Sequence, residues 1–405
     1  MFSNPAFTAL PRPEKHRRYR EIALVFLRLG LVAFGGPAAH IAMMEEELIQ
    51  KRQWVTREQF MDFLGATNLI PGPNSTEMAI HLGFARGGVL GLVLSGVCFI
   101  LPAALSVLLF AVLYSQHGQV KGIVGMMDGI KPVVMAVIIQ ALLRLSRSVI
   151  TRPLAAGVAA GVIGLNLLGI SEIPLLLLAA ICVMLYKNRD RLAGRLAALP
   201  LLSQAASPAA EIAAKAAAPA LGASALFFTF LKIGAFLYGS GYVLLAFLES
   251  EFVTRLGVLT NQQLLDAVAV GQFTPGPVFT TATFIGYLLG GFGGAAAATA
   301  GIFLPSFVLV FFLNPLIPRL RASKWFSAAL DGVNAASLGL MALISVKLGL
   351  ASLTGWFPIL LFAGAFLALF KFKVNSFYLI VAGGVLGYLV SAEQLQTQDK
   401  STPSG

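Results

Sequence analysis

Two short stretches carry the residues best suited to chemistry. Pro71-Gly72-Pro73 is followed by Asn74, Ser75 and Thr76, and Pro275-Gly276-Pro277 is followed by Thr280 and Thr281. Proline removes a backbone donor and pushes the residue before it out of helical geometry, so helices should end near Ile70 and Thr274. Proline also favours the first turn of a helix, so a new one is expected to begin just after Pro73 and after Pro277. A helix start offers unpaired N–H groups and the positive end of the macrodipole, which together suit an anion. Two such starts aimed at one cavity, with hydroxyls beside them, would fit a tetrahedral oxyanion. The alternative is that both motifs are kinks that help helices pack.

Charged residues inside apolar segments are the next candidates. Arg28 and Lys232 each lie about seven residues into such a segment, where a charge needs water or a partner. Either they attract the anion or they snorkel to the interface. Glu45 and Glu47, with Glu249 and Glu251, are expected in loop or interface ion pairs, although a raised pKa in one could couple transport to protons. Asp62 and Asp266 lie nearer the Pro-Gly-Pro motifs, and Asp128 and Asp331 have apolar surroundings. All four are coupling candidates, with Lys131 or Arg144 as the plainer partner for Asp128. His40 and His81 read as interior or interface histidines.

Other chemistries lack their residues. No zinc-type His-Glu pair or GxSxG elbow is present, which makes an enzyme acting on phospholipids a remote reading. No Walker A loop occurs, and no metal or cofactor is expected. Cys98 and Cys182 are too few for a disulfide framework.

The elements that must position these residues are membrane helices. The 405-residue chain is 57% hydrophobic and only 12% charged, with a mean hydropathy of +0.82. Residues 91–114 alone exceed the roughly 20 apolar residues that cross a bilayer. The net charge of +11 is scattered between apolar segments, which fits an orientation signal rather than nucleic-acid binding. The basic block at residues 11–21 places the N-terminus in the cytoplasm. Arg28 interrupts the first apolar segment, which argues against a signal peptide.

The chain contains one unit twice. An offset of 204 carries Arg28 onto Lys232, Glu45 onto Glu249, Asp62 onto Asp266 and Pro71-Gly72-Pro73 onto Pro275-Gly276-Pro277. After a one-residue slip it carries Pro102 onto Pro305, Asp128 onto Asp331 and Arg144 onto Lys347. His81 and His40 break the pattern, with Ile285 and Leu244 opposite them, and Asn334 replaces Lys131, so a lysine partner for the aspartate is available only in the first repeat. The expected organisation is a basic segment over 1–21, a first repeat over 22–186, a linker over 187–225, a second repeat over 226–391 and a polar tail over 392–405. Repeats with broken helices in matching positions point to a secondary transporter. Basic residues at Arg319, Arg321, Lys324, Lys371 and Lys373 favour an inverted second repeat. About six apolar segments per repeat would instead place both the same way up, unless a half-crossing segment or the linker changes the count. The fold class is therefore an all-α polytopic membrane protein of two homologous multi-helix repeats, read as inverted.

The stretches FGGPAAHIAMMEEE, LIPGPNSTEMAIHLGF and VGQFTPGPVFTTATFIGYLLGG resemble the signatures of the chromate ion transporter family, in its long two-repeat form. The resemblance covers about residues 22–390. It implies a multi-pass protein of the bacterial inner membrane that exports chromate, driven by the proton motive force, and confers chromate resistance. It also implies a substrate-linked region at Gly35, Gly36, Pro37, Pro71, Gly72, Pro73, Asn74 and Ser75. Sulfate has the same shape and charge, so a sulfate permease or exchanger remains the alternative. Expected partners are the anion and the lipid bilayer, with homo-oligomerisation left open.

Overall fold

The structure is a computed structural model that describes Phe7 and residues 10–34, 36–117, 120–189, 221–238, 243–313 and 323–401. Gly35, the basic residues Arg319 and Arg321, and most of the expected linker lie outside the described residues. No strand occurs among the described residues.

Each repeat begins with arms that reverse on one another rather than with uninterrupted crossing helices. In the first repeat, α1 (Arg12–Val32) stops at Ala33, and α2 (Pro37–Glu45) leads through a π-helical turn, Glu46–Lys51, back alongside the middle of α1. Arg52 and Trp54 both reach Glu21 at 3.2 Å, which closes this first hairpin. The second hairpin pairs α3 (Arg57–Thr67) with the start of α4 (Asn74–His117). Phe63 stacks on His81 at 5.4 Å, although a straight helix would put them about 27 Å apart. Pro71-Gly72-Pro73 is therefore the tip of a reversal.

A second reversal follows at once. Gly87 and Gly88 leave helical geometry, with Gly88 at φ 60°, a conformation glycine adopts without a Cβ clash. The chain folds back so tightly that a Cβ on Gly83 would lie 2.4 Å from the Gly91 carbonyl oxygen. We call the two arms α4a (74–86) and α4b (89–117). Only α4b is long enough to cross, at about 43 Å for 29 residues. Its Leu101, Leu105, Leu109 and Leu113, spaced by four and exposed, form a lipid-facing stripe. Then α5 (Lys121–Val149) returns, followed by α6 (Pro153–Leu167) and α7 (Glu172–Lys187).

The second repeat copies this plan. Its elements are α8 (Ala223–Phe236), α9 (Leu244–Leu248) with a π-helical turn Glu249–Arg255, α10 (Asn261–Phe273), a 3-10 turn Val278–Thr280, α11 (Thr281–Leu313), α12 (Lys324–Ser352), α13 (Trp356–Lys371) and α14 (Ser376–Ser401). Gly290-Gly291 divides α11 into α11a (281–289) and α11b (292–313), and Thr283 and Thr299 share a 2.7 Å hydrogen bond across that turn.

Four described helices are long and apolar enough to cross a membrane: Asn74–His117, Gly122–Val149, Val278–Leu313 and Lys324–Ser352. The apolar segments of each repeat, about six in the sequence, are therefore not all helices long enough to cross. Hydropathy registers that a segment is apolar, but it does not register that proline and glycine turn it back halfway.

The two repeats are inverted. Leu92, at the start of α4b, packs with Val310 near the end of α11b, while Tyr114 near the end of α4b lies 5.3 Å from Phe284 on α11a. The long helices α4b and α11b are therefore antiparallel. Each repeat also wraps the other. Gly125 and Gly129 of α5 meet Gly387 and Gly383 of α14, and Gly332 and Gly339 of α12 meet Ala179 and Ala159 of α7 and α6. Small residues allow this close approach of membrane helices. Lys187 and Ala223 end up at opposite ends of the long helices, and residues 190–220 between them are outside the described set.

Candidate functional site

The hairpin tips of the two repeats meet at the centre and are tied reciprocally. The Gly72 N–H donates to the Leu237 carbonyl at 2.8 Å, and the Gly276 N–H donates to the Ala33 carbonyl at 2.8 Å. Ala33 and Leu237 follow the ends of α1 and α8, where carbonyls lack intrahelical partners. Each Pro-Gly-Pro tip so completes a helix end of the other repeat. The glycines permit it: Gly72 sits at φ 137° and Gly276 at φ 95°.

Beside this junction lies a cavity of about 270 Å³ lined by Pro37, Asn68, Pro73, Asn74, Ser75, Pro277, Val278, Phe279, Ser148 and Asn334, among others. At ~30 Å³ per water it has room for an oxyanion and part of its hydration shell. Both new helix starts border it. In the first, the Thr76 and Glu77 amides donate to the Pro73 carbonyl, which leaves Asn74 and Ser75 as the first-turn positions without an intrahelical acceptor. In the second, the Thr280 amide donates to Pro277, and Val278 and Phe279 take the equivalent positions. Asn74 also donates to Asn68 at 3.0 Å.

A neighbouring cavity of about 260 Å³ shares Ser148, Val149 and Asn334 and adds Arg152, Lys187 and Asp331. The central cavity thus opens toward the C-terminal end of α5, through a lining with two cations and one acid. This is the end of the molecule that also carries the basic start of α1, together with Arg86, Arg144, Arg147 and Lys373.

At the other end of α5 a wider cavity of about 830 Å³ is lined by Asp128, Lys131, Gln262, Ser352 and Thr354. Lys131, the repeat counterpart of Asn334, is buried there and pairs with Asp266 at 3.1 Å. Tyr114 donates to the same carboxylate at 2.8 Å. This three-residue lock joins both repeats where the opposite side has only Asn334.

The remaining sequence candidates are dispersed. Pro71, Gly72, Pro275 and Gly276 build the tie rather than the cavity wall, and Gly36 caps α2. The Thr280 and Thr281 hydroxyls donate to backbone carbonyls of Pro277 and Val278 at 2.8 Å, so neither is turned to the cavity. Thr76 is fully buried. Arg28 is exposed on α1, away from the cavity lining. Lys232 pairs with Glu251 at 3.0 Å, and Arg255 joins the same carboxylate. Glu249 pairs with Lys347, Glu45 with Arg57 at 3.8 Å, Asp128 with Lys131 at 3.1 Å, and Asp331 with Lys187 at 2.5 Å. Asp62 is exposed, whereas its counterpart Asp266 is buried. His40 bonds the Ala33 carbonyl at 3.0 Å, while both ring nitrogens of buried His81 lack a hydrogen-bond partner.

One residue escaped the sequence reading. Glu77, in the first turn after Pro73, is completely buried. Its Oε1 accepts a hydrogen bond from Ser306 of the second repeat at 3.2 Å. A search for residues shared by both repeats passes over it, because Thr281 stands opposite.

The geometry is that of two inverted units around one central cavity, and comparison with known proteins finds the same unit twice. Residues 20–185 and 224–388 each match the Chromate transporter family. A chromate transport protein of Cupriavidus metallidurans is 33% identical over 380 residues, covering 92% of this chain and 93% of its own. One from Pseudomonas aeruginosa is 32% identical over 400 residues, covering 95% of each. A probable chromate transport protein of Synechococcus elongatus is 32% identical over 343 residues, covering 82% and 85%. No solved structure matches the chain. These relatives are transport proteins rather than enzymes, and with both repeats matched the chain belongs to the chromate transporter family.

Proposed function

We propose that this protein exports chromate across the bacterial inner membrane by alternating access, driven by the proton motive force, and that it confers chromate resistance. The observation that carries the reading is the central cavity into which both Pro-Gly-Pro helix starts face. Backbone donors and helix-dipole ends hold a divalent oxyanion there, with Asn74, Ser75 and Asn68 completing the shell. Arg152 and Lys187 raise the anion's local concentration at the entrance. The basic residues at this end support a cytoplasmic orientation for it, and the Lys131–Asp266–Tyr114 lock stands between the central cavity and the wider cavity on the far side. The electrical component of the driving force suits export. Moving two negative charges outward gains about 4.6 kcal/mol per 100 mV.

Chromate accumulation in everted membrane vesicles energised by respiration tests this reading. Accumulation above control vesicles is expected, and its absence would overturn export. Excess sulfate is expected to compete, because the donors read shape and charge. Pro73→Ala should lose resistance while the protein still inserts in the membrane.

A further inference from the structure

Glu77 has the placement of a coupling residue. It is fully buried one helical turn behind the residues that line the central cavity. Ser306 donates to Oε1, and Oε2 has no hydrogen-bond partner. The carboxyl packs directly on the hairpin tip: a Cβ on Gly72 would lie 2.2 Å from Glu77 Oε1 and 2.4 Å from Ser306 Oγ. The titratable groups facing it are His81, one turn along its own helix, and Tyr238, beside the Leu237 carbonyl that accepts from Gly72. Ser306 is its contact from α11b. No lysine or arginine pairs with it among the described residues.

An ionised carboxylate in this place has no cation to balance it. It would also occupy the positive end of the helix that faces the cavity, and would repel a dianion bound there. A neutral carboxylic acid does neither. The second repeat has no such group, since Thr281 and Ala103 stand where the first has Glu77 and Ser306.

We propose, building on the transport reading above, that Glu77 is a proton-binding site filled together with the anion. The carboxylate takes a proton from the cytoplasmic side, the cavity then accepts the dianion, and both leave on the far side. Each cycle carries one proton and one dianion in the same direction, a net single negative charge, so the electrical component of the proton motive force drives it outward while the pH gradient opposes the proton. This is the opposite of proton–anion exchange.

The test uses the full-length protein in proteoliposomes with a pH dye in the lumen. A potassium diffusion potential, positive inside, draws chromate in at alkaline pH, where chromate is a dianion and does not itself take up protons. Expected is lumenal acidification of one proton per chromate, and a rate that falls by up to about tenfold per pH unit. Glu77→Gln, which mimics the protonated acid, should carry chromate without acidification and without that pH dependence. Lumenal alkalinisation, or chromate entry with no proton movement in the unaltered protein, would overturn the proposal and leave the transport reading intact. Should Glu77→Gln fail to fold, proton uptake on adding chromate to the unaltered protein in weakly buffered detergent decides: one proton per bound anion is expected, and none would overturn it. Absence of both chromate entry and chromate binding in the unaltered protein would instead overturn the transport reading.

Discussion

The first Pro-Gly-Pro hairpin, residues 57–86, and the second, residues 261–289, have the same frame and different fillings. Both begin with a Thr capping box, at Thr56 with Gln59 and at Thr260 with Gln263. Both turn on a glycine at positive φ and both end at a Gly-Gly reversal. Behind the first tip sit Glu77 and Ser306; behind the second, Thr281 and Ala103. At the base the contrast reverses. Asp62 of the first hairpin is exposed, while Asp266 of the second is buried against Lys131 and Tyr114. The shared frame is that of one unit used twice, and the differing side chains fit the proposed transport cycle, in which a proton site is needed only once.

The contrast can be broken most severely at the lock. Lys131→Ala leaves Asp266 buried and unpaired, and is expected to cost about 3–5 kcal/mol, measured as loss of stability of the purified protein in detergent. The double variant Lys131→Met with Asp266→Leu should recover most of it, because both charges are then gone. Next come the tips. Gly72→Ala forces a Cβ against the Glu77 carboxyl and the Ser306 hydroxyl, whereas Gly276→Ala meets the Ala103 methyl at 2.7 Å. Backbone strain adds about 1–3 kcal/mol at each, and thermal unfolding should show Gly72→Ala as the more damaging of the pair.

Smaller effects sharpen the difference at the cavity. Asn334→Lys places there the cation that its counterpart position already carries, and should tighten anion binding on the order of tenfold, about 1.4 kcal/mol. An unchanged chromate KM would mean that Asn334 does not face the anion. Asn74→Ala removes a polar group at the helix start and should weaken binding by about 1 kcal/mol, read as a roughly fivefold rise in KM at constant membrane content. Least of all, Lys187→Ala breaks a partly exposed pair with Asp331 and should change stability by about 1 kcal/mol or less. Its measurable effect belongs to the rate of anion entry at low ionic strength.

Part of the candidate cavity was legible in the sequence. The repeat offset paired the two Pro-Gly-Pro motifs, and Pro73, Asn74, Ser75 and Pro277 line the cavity together with Pro37, which the family resemblance had pointed to. Ion pairing of Glu249 and Glu251 was likewise readable, since helix-terminal acids with basic neighbours seldom stay single. Glu77 was not, because comparison of repeats selects what the halves share and this carboxylate is what they do not share. The partner of Asp331 was hidden for another reason: Lys187 lies 144 residues away, and no local pattern joins them.

From the sequence alone came the membrane helices, the duplication and the places where helices had to stop. These follow from local chemistry: apolar runs need lipid, and proline cannot continue a helix. Only the tertiary structure decided that the interrupted segments turn back on themselves, that each tip completes a helix end of the opposite repeat, and that Asp266 is buried against Lys131 and Tyr114 while Asp62 is exposed. Those outcomes depend on which backbone groups and charges find partners across the interface of the two repeats. Such partners are set by packing between segments some 200 residues apart, where sequence spacing carries no distance information.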